Sequence, residues 1–173
     1  MKYLKFVAMI ITSTVAMFLM MYLNTYSVSH IWFSETRAYM ALYMGAGMAI
    51  IMLAFMMGMY NNKKLNAAIF LLAVGLFAVC LYLVRSQSTV SDSAYMKAMI
   101  PHHSIAILTS ERSNIADVRV RELANGIIKA QRKEIKEMEW LIKDISENGK
   151  VTSQTQAEQR PVPEFEGKLQ KEN

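Results

Sequence analysis

The chain has 173 residues, 53% of them hydrophobic, and a formal net charge of +5. Residues 1–85 hold six basic residues against Glu35 alone, while residues 86–173 hold thirteen of each sign. The basic excess therefore flanks apolar segments and forms no nucleic-acid groove. A single cysteine, Cys80, excludes a disulfide framework and a CxxC metal site.

Residues 6–23 carry no charge. At about 1.5 Å per residue they suffice to cross a bilayer, which predicts a helix over 6–24. Lys2 and Lys5 precede it and Ser27-Val28-Ser29 follows, so a cleaved signal peptide is the competing reading. The apolar run exceeds the usual ~7–15 residues of a signal's core, and a retained helix is expected. Further apolar spans predict helices over 38–60 and 65–84, joined at Asn61-Asn62-Lys63-Lys64. The lysine clusters set an expected topology in a bacterial inner (plasma) membrane. The N-terminus is cytoplasmic, and the chain after Arg85 is periplasmic or extracellular. His30, in the loop between the first two spans, falls on the same side as that outer half.

Within the second span, Ala41, Gly45 and Ala49 form a small-xxx-small row suited to close helix approach. Met40, Met44, Met48, Met52 and Met56 recur every fourth residue. That step drifts about 40° each time, so the row lines no single face and reads as apolar filling rather than a metal ladder. Cys80 reads as a small buried hydrophobe.

Residues 86–91 are a polar linker, with Ser91 or Asp92 as a helix cap. The helix that follows should reach about Arg112, with a kink or a late start at Pro101. It carries Met96-Lys97-Ala98-Met99-Ile100-Pro101-His102-His103. At about 100° per residue, with Met96 at zero, His103 falls near −20°, Met99 near −60° and His102 near −120°. Thioether and imidazole donors on one third of a helix suit Cu(I) or Ag(I) better than hard cations.

Asn114 to Ala116 read as a turn and Asp117 as the next cap. An amphipathic helix follows to about Glu147, with Leu123, Ile127, Met138, Leu141 and Ile145 on its stripe and Ile128, Ile135 and Ile142 beside it. Gly149 is its expected stop. Antiparallel pairing centred near residue 115 sets His103 opposite Ile128 and Met99 opposite Arg132. Gln131, Glu134 and Met138 then fall close to the level of the Met–His cluster. The hairpin is 92–149. The tail over 150–173, rich in Gln, Glu, Lys and Pro, is expected to be disordered.

The run YMKAMIPHHSIAI, and II-x-x-Q-x-x-EI-x-x-M-x-WL from Ile127 to Leu141, resemble the "domain of unknown function 305" family. The membrane part resembles a membrane-anchored subgroup. The resemblance implies a ferritin-like, all-α fold and, by analogy with some members, copper binding outside the cytoplasm. Position by position it implies Met96, Met99, His102, His103 and Met138 as metal residues; the hairpin level of Gln131 and Glu134 and the membrane side of His30 make these three candidate secondary or supporting positions. Where the family commonly has a further methionine, this chain has Thr109.

Two readings follow. The leading one is a membrane-anchored Cu(I)-binding protein for sequestration or handover in copper tolerance. Copper is its expected ligand, and copper-handling proteins and the bilayer are its expected partners. The alternative is a non-catalytic helical oligomerisation module without metal. A two-helix hairpin buries little core alone, so a homodimer or higher homo-oligomer is expected in either case. No Glu-x-x-His, HExxH, GxSxG or Walker motif occurs, so an enzyme is not expected.

Overall fold

The computed structural model describes residues 2–169. The regular elements among them are helical: α1 Lys2–Met20, α2 Glu35–Phe55, α3 Lys63–Ser86, α4 Asp92–Arg112, α5 Val118–Asn148 and α6 Gln154–Gln159. Single 3-10 turns occur at Val28–His30 and Met57–Met59. The chain divides into two units. The first holds the chain to Leu23 and Glu35–Val90; the second holds Asn24–Ser34 and the chain from Ser91.

In the first unit α1, α2 and α3 are each long and apolar enough to cross a membrane. Two of them end earlier than hydropathy predicts, at Met20 and Phe55 rather than near 24 and 60. After Met20 the bonds Tyr22 N→Leu19 O and Leu23 N→Met20 O tighten the chain into turns. After Phe55 the 3-10 turn intervenes. In both places apolar residues continue past the last α-helical bond, so hydropathy cannot mark the end.

The small-residue row of α2 is buried at Ala41, Gly45 and Ala49. A Cβ on Gly45 would lie 2.1 Å from Thr14 Oγ1 of α1, so glycine is what admits α1 at this distance. Met40, Met44, Met48, Met52 and Met56 are all half-buried. Met52 and Met56 pack on the core formed by Phe6, Ala49, Leu53, Tyr60 and Ala73. Asn62 caps α3 by accepting from Leu65 N at 3.1 Å. The Tyr3 hydroxyl donates to Asn66 Oδ1 at 2.8 Å and accepts from Asn62 N at 3.2 Å. The starts of α1 and α3 are thereby held together.

In the second unit Ser91 caps α4, accepting from Ala94 N at 3.3 Å. Asp117 caps α5, accepting from Arg119 N at 2.9 Å. At Gly149 the backbone turns to φ +76°, a conformation that suits glycine, and α5 stops. α4 and α5 pack antiparallel around Met96, Ile100, Ile107, Ile135, Met138 and Ile142. Ile100 and Ile107 are fully buried, worth about 1.5–3 kcal/mol each in removed apolar surface. α4 is continuous from Asp92 through Pro101 and does not start late. Pro101 is itself buried, and that burial offsets part of the ~3 kcal/mol an interior proline costs.

The hairpin register departs from the expected one. His103 faces Glu134 rather than Ile128, and Glu111 faces Arg132. α5 has 31 residues and α4 has 21, so α5 outruns its partner. The overhang falls on its first turns, where Val118, Val120 and Leu123 are exposed. Leu123, expected on the buried stripe, is 64% exposed. The buried line of α5 runs through Ala124, Ile128, Ile135, Met138 and Ile142, so Met138 and the three isoleucines expected beside the stripe are buried as expected.

The tail also departs from expectation. Over its described part, 150–169, it forms α6 and then runs back along α5. Arg160 lies 3.1 Å from the buried Asp144 carboxylate and donates to the carbonyls of Asn148 and Gly149 at 3.1 and 2.6 Å. Lys136 Nζ donates to Glu166 O at 2.9 Å, and Arg132 donates to Lys168 O. Composition predicted disorder because apolar residues are few. The tail is held instead by Arg160, which reaches Asp144 and the end of α5, and by α5 side chains bonding its backbone carbonyls, none of which hydropathy registers. Residues 170–173 of that expectation lie outside the described residues.

Gly167 is the point of closest approach. A Cβ there would lie 1.8 Å from Lys129 O, and helix backbone cannot yield. Gly167→Ala is expected to lift residues 164–169 off α5. Trypsin cleavage after Lys168 should accelerate several-fold while helix content stays constant. Equal cleavage rates would show that the tail is held some other way.

Candidate metal centre

The hairpin brings the three predicted methionines together. Met96 and Met138 are buried in one apolar cluster, and Met99 is half-buried against it. Met96 and Met99 come from α4 and Met138 from α5, so antiparallel packing, not sequence proximity, creates the group. Leu141, Ile145, Tyr26 and Trp32 close around it.

His103 stands one helical turn beyond Met99, with its side chain only 14% exposed. Its Nδ1 lies 3.0 Å from Glu134 Oε2, too poorly aligned for a hydrogen bond; the contact becomes an ion pair only when the imidazole is protonated. Burial holds this imidazole below its ordinary value of about 6.5, and the nearby His102 pushes the same way. Glu134 pulls in the opposite direction but does not prevail. A neutral imidazole is the form that binds metal. Gln131 Nε2 donates to Glu134 Oε2 at 3.3 Å. Gln131 and Glu134 thus form a polar pair that supports His103.

His102 does not join this group. It is exposed, and its ring centroid lies 6.1 Å from that of His103. Thr109, where the family pattern has a methionine, is exposed and donates back to Ile105 O at 3.0 Å. Among the described residues no three His, Cys, Asp or Glu side chains gather into a metal-holding group. Thioether and imidazole are donor types that suit soft ions.

The loop 24–34 was missed as part of this unit. Its Tyr26 N donates to Ser104 Oγ at 2.7 Å, and His30 Nδ1 lies 2.9 Å from the same oxygen. Ser104 is fully buried, so these loop atoms satisfy a hydroxyl that would otherwise be stranded. Burial also lowers the His30 pKa. Lys97 Nζ sits 5.8 Å from the centre of the Trp32 ring. Arg132 joins four parts of the unit. It contacts Glu111 at 2.5 Å and Tyr26 Oη at 3.2 Å, and bonds the tail at Lys168 O. The available signal was composition: Tyr26, His30 and Trp32 within eleven residues are more than a connection between two helices requires.

The architecture defines a class: three membrane-length apolar helices combined with a helical hairpin whose core includes Met96 and Met138. The chain belongs to the family described as Domain of unknown function (DUF305), whose profile matches residues 83–172. It is 29% identical over 151 residues to an uncharacterized protein of Acanthamoeba polyphaga mimivirus, covering 83% of this chain and 97% of that one. No solved structure matches it.

Proposed function

We propose that the second unit binds Cu(I), or Ag(I) as its analogue, in a membrane-tethered protein that sequesters the metal or hands it on. The observation that carries the reading is the meeting of Met96, Met99 and Met138, from two helices, beside a histidine that burial keeps neutral. Thioethers bind without losing a proton, and imidazole needs only to be neutral. Outside the cytoplasm thiols tend to oxidise, and a Met–His set keeps working there. The chain's own residues hold and release an ion in this scheme and carry out no bond chemistry. The direct test is a Cu(I) titration of the purified full chain against a competing chelator, with Ag(I) and Zn²⁺ alongside. Competition by Ag(I) and indifference to Zn²⁺ support the reading. Failure to take Cu(I) from a weak chelator overturns it.

The second reading, an association module without metal, draws on the exposed apolar residues Val120, Leu123 and Ile127 at the overhang of α5. A homodimer formed there would weaken on Leu123→Asp. A dimer lost in that variant, with no Cu(I) uptake by the parent, favours this reading.

The lysines support the proposed compartment. A reporter fused after Gly149 is expected to be active only when exported, with Lys2, Lys5, Lys63 and Lys64 left on the cytoplasmic side of a plasma membrane. Cytoplasmic reporter activity would reverse the topology and remove the compartment argument for a Met–His site.

A further inference from the structure

The first unit carries a groove of about 870 Å³ between the end of α2 and the start of α3. That lies in the ~300–1,000 Å³ range of ligand sites. Its wall is divided by polarity. Asn61, Lys63 and Asn66 belong to the polar end, while Leu53, Ala67, Phe70 and Leu71 are among the apolar residues of the rest. Phe70 and Leu71 lie seven and eight residues beyond Lys63, about 10–12 Å deeper along the helix. A cationic rim above an apolar trough has the polarity of an amphiphile with an anionic head.

The charge around the rim is one-sided. The Tyr3 bonds to Asn62 and Asn66 hold the start of α1 beside the start of α3, so Lys2, Lys5, Lys63 and Lys64 share one end of the unit. Glu35, the sole acid in residues 1–85, begins α2, whereas the groove lies at that helix's other end. Over some twenty residues that is about 30 Å, well beyond a Debye length of ~8 Å at physiological salt. No carboxylate of this segment neutralises the rim.

We propose that this groove is a binding site for an anionic phospholipid. Lys63 and Lys64 take the phosphate headgroup, and one acyl chain lies along Leu53, Ala67 and Phe70. The headgroup supplies the missing negative charge, and the chain covers apolar surface that the helices leave open.

The test uses the full chain in neutral detergent, with added phosphatidylglycerol or phosphatidylcholine of identical acyl chains. Thermal unfolding and native mass spectrometry are the readouts. Phosphatidylglycerol should raise the midpoint by several degrees and remain bound, and phosphatidylcholine should do neither. Lys63→Gln/Lys64→Gln should weaken phosphatidylglycerol binding roughly thirtyfold, at about one kcal/mol for each lysine. Lys2→Gln/Lys5→Gln should weaken it less. Ala67→Leu, which narrows the trough and leaves the charge, should also weaken it. Circular dichroism checks that each variant keeps its helix content. Equal effects of the two lipids would overturn the proposal. So would an equal loss in both lysine pairs, which would mean diffuse surface charge. Full binding by the Ala67→Leu protein would remove the groove from the site, and stabilisation by inorganic phosphate alone would remove the lipid.

Discussion

Replacing Met96 and Met99 together by leucine is expected to lower Cu(I) affinity at least about a hundredfold. That is the upper end of what loss of a single supporting residue costs a metal site, and here two thioethers are removed. Leucine keeps volume and apolarity close to those of methionine, and such swaps cost under about 1.5 kcal/mol each. Met96 belongs to the hairpin core and Met99 packs against it, so the swap must be near-isosteric for the result to concern metal rather than folding. Competition titration measures the affinity, and the unfolding midpoint serves as control. Unchanged Cu(I) affinity would make these methionines core filling. The pH profile adds a second reading. Affinity falls only when His103 takes up a proton, and its pKa lies below about 6.5 because the ring is buried. The fall should therefore begin below pH 6.5, lower than an exposed histidine would give. It should remain partial, because the thioethers do not titrate. His103→Gln should abolish the pH dependence. A profile unchanged in that variant would exclude His103 as a ligand.

The Arg132→Ala variant is expected to lose about 3 kcal/mol of stability, the lower end of what breaking a buried ion pair costs. The lower end applies because the Arg132 and Glu111 side chains retain 20% and 15% exposure. The loss has three parts. Glu111 is left half-buried without its cation, the Tyr26 hydroxyl loses its donor, and the tail loses its bond at Lys168 O. The guanidinium also sits over the Tyr26 ring, 5.6 Å from its centre. Arg132→Lys keeps the charge but not the planar fork and should fall between the parent and the alanine variant. Denaturant unfolding of the full chain, followed by Tyr and Trp fluorescence, reads the effect. A cost below about 1 kcal/mol would place it within the range of ordinary surface pairs. Arg132 would then not be what joins the loop, the hairpin and the tail.

Much of the architecture is local in origin and could be read from sequence. The three apolar spans, the Asp117 cap, the Gly149 stop and the helical periods of α4 and α5 depend on residues within a turn or two of each other. So does the placement of Met96, Met99 and His103 on one face of α4. Antiparallel pairing follows from a loop too short for anything else, and it brought Met138 to the same cluster. That pairing did not fix the register. Whether His103 meets Ile128 or Glu134 depends on how far α5 overruns α4, a property of the packed pair.

The tertiary structure alone decided what joins the hairpin. Residues 24–34 are separated from α4 by the second and third apolar helices, yet they satisfy Ser104 and pack Tyr26 and Trp32 on its core. The tail reads as disordered by composition, yet it is held through backbone carbonyls that every sequence possesses. Sequence patterns record which side chains avoid water. They do not record which distant backbone groups or hydroxyls will find a partner, because those bonds exist only once the chain has folded back on itself.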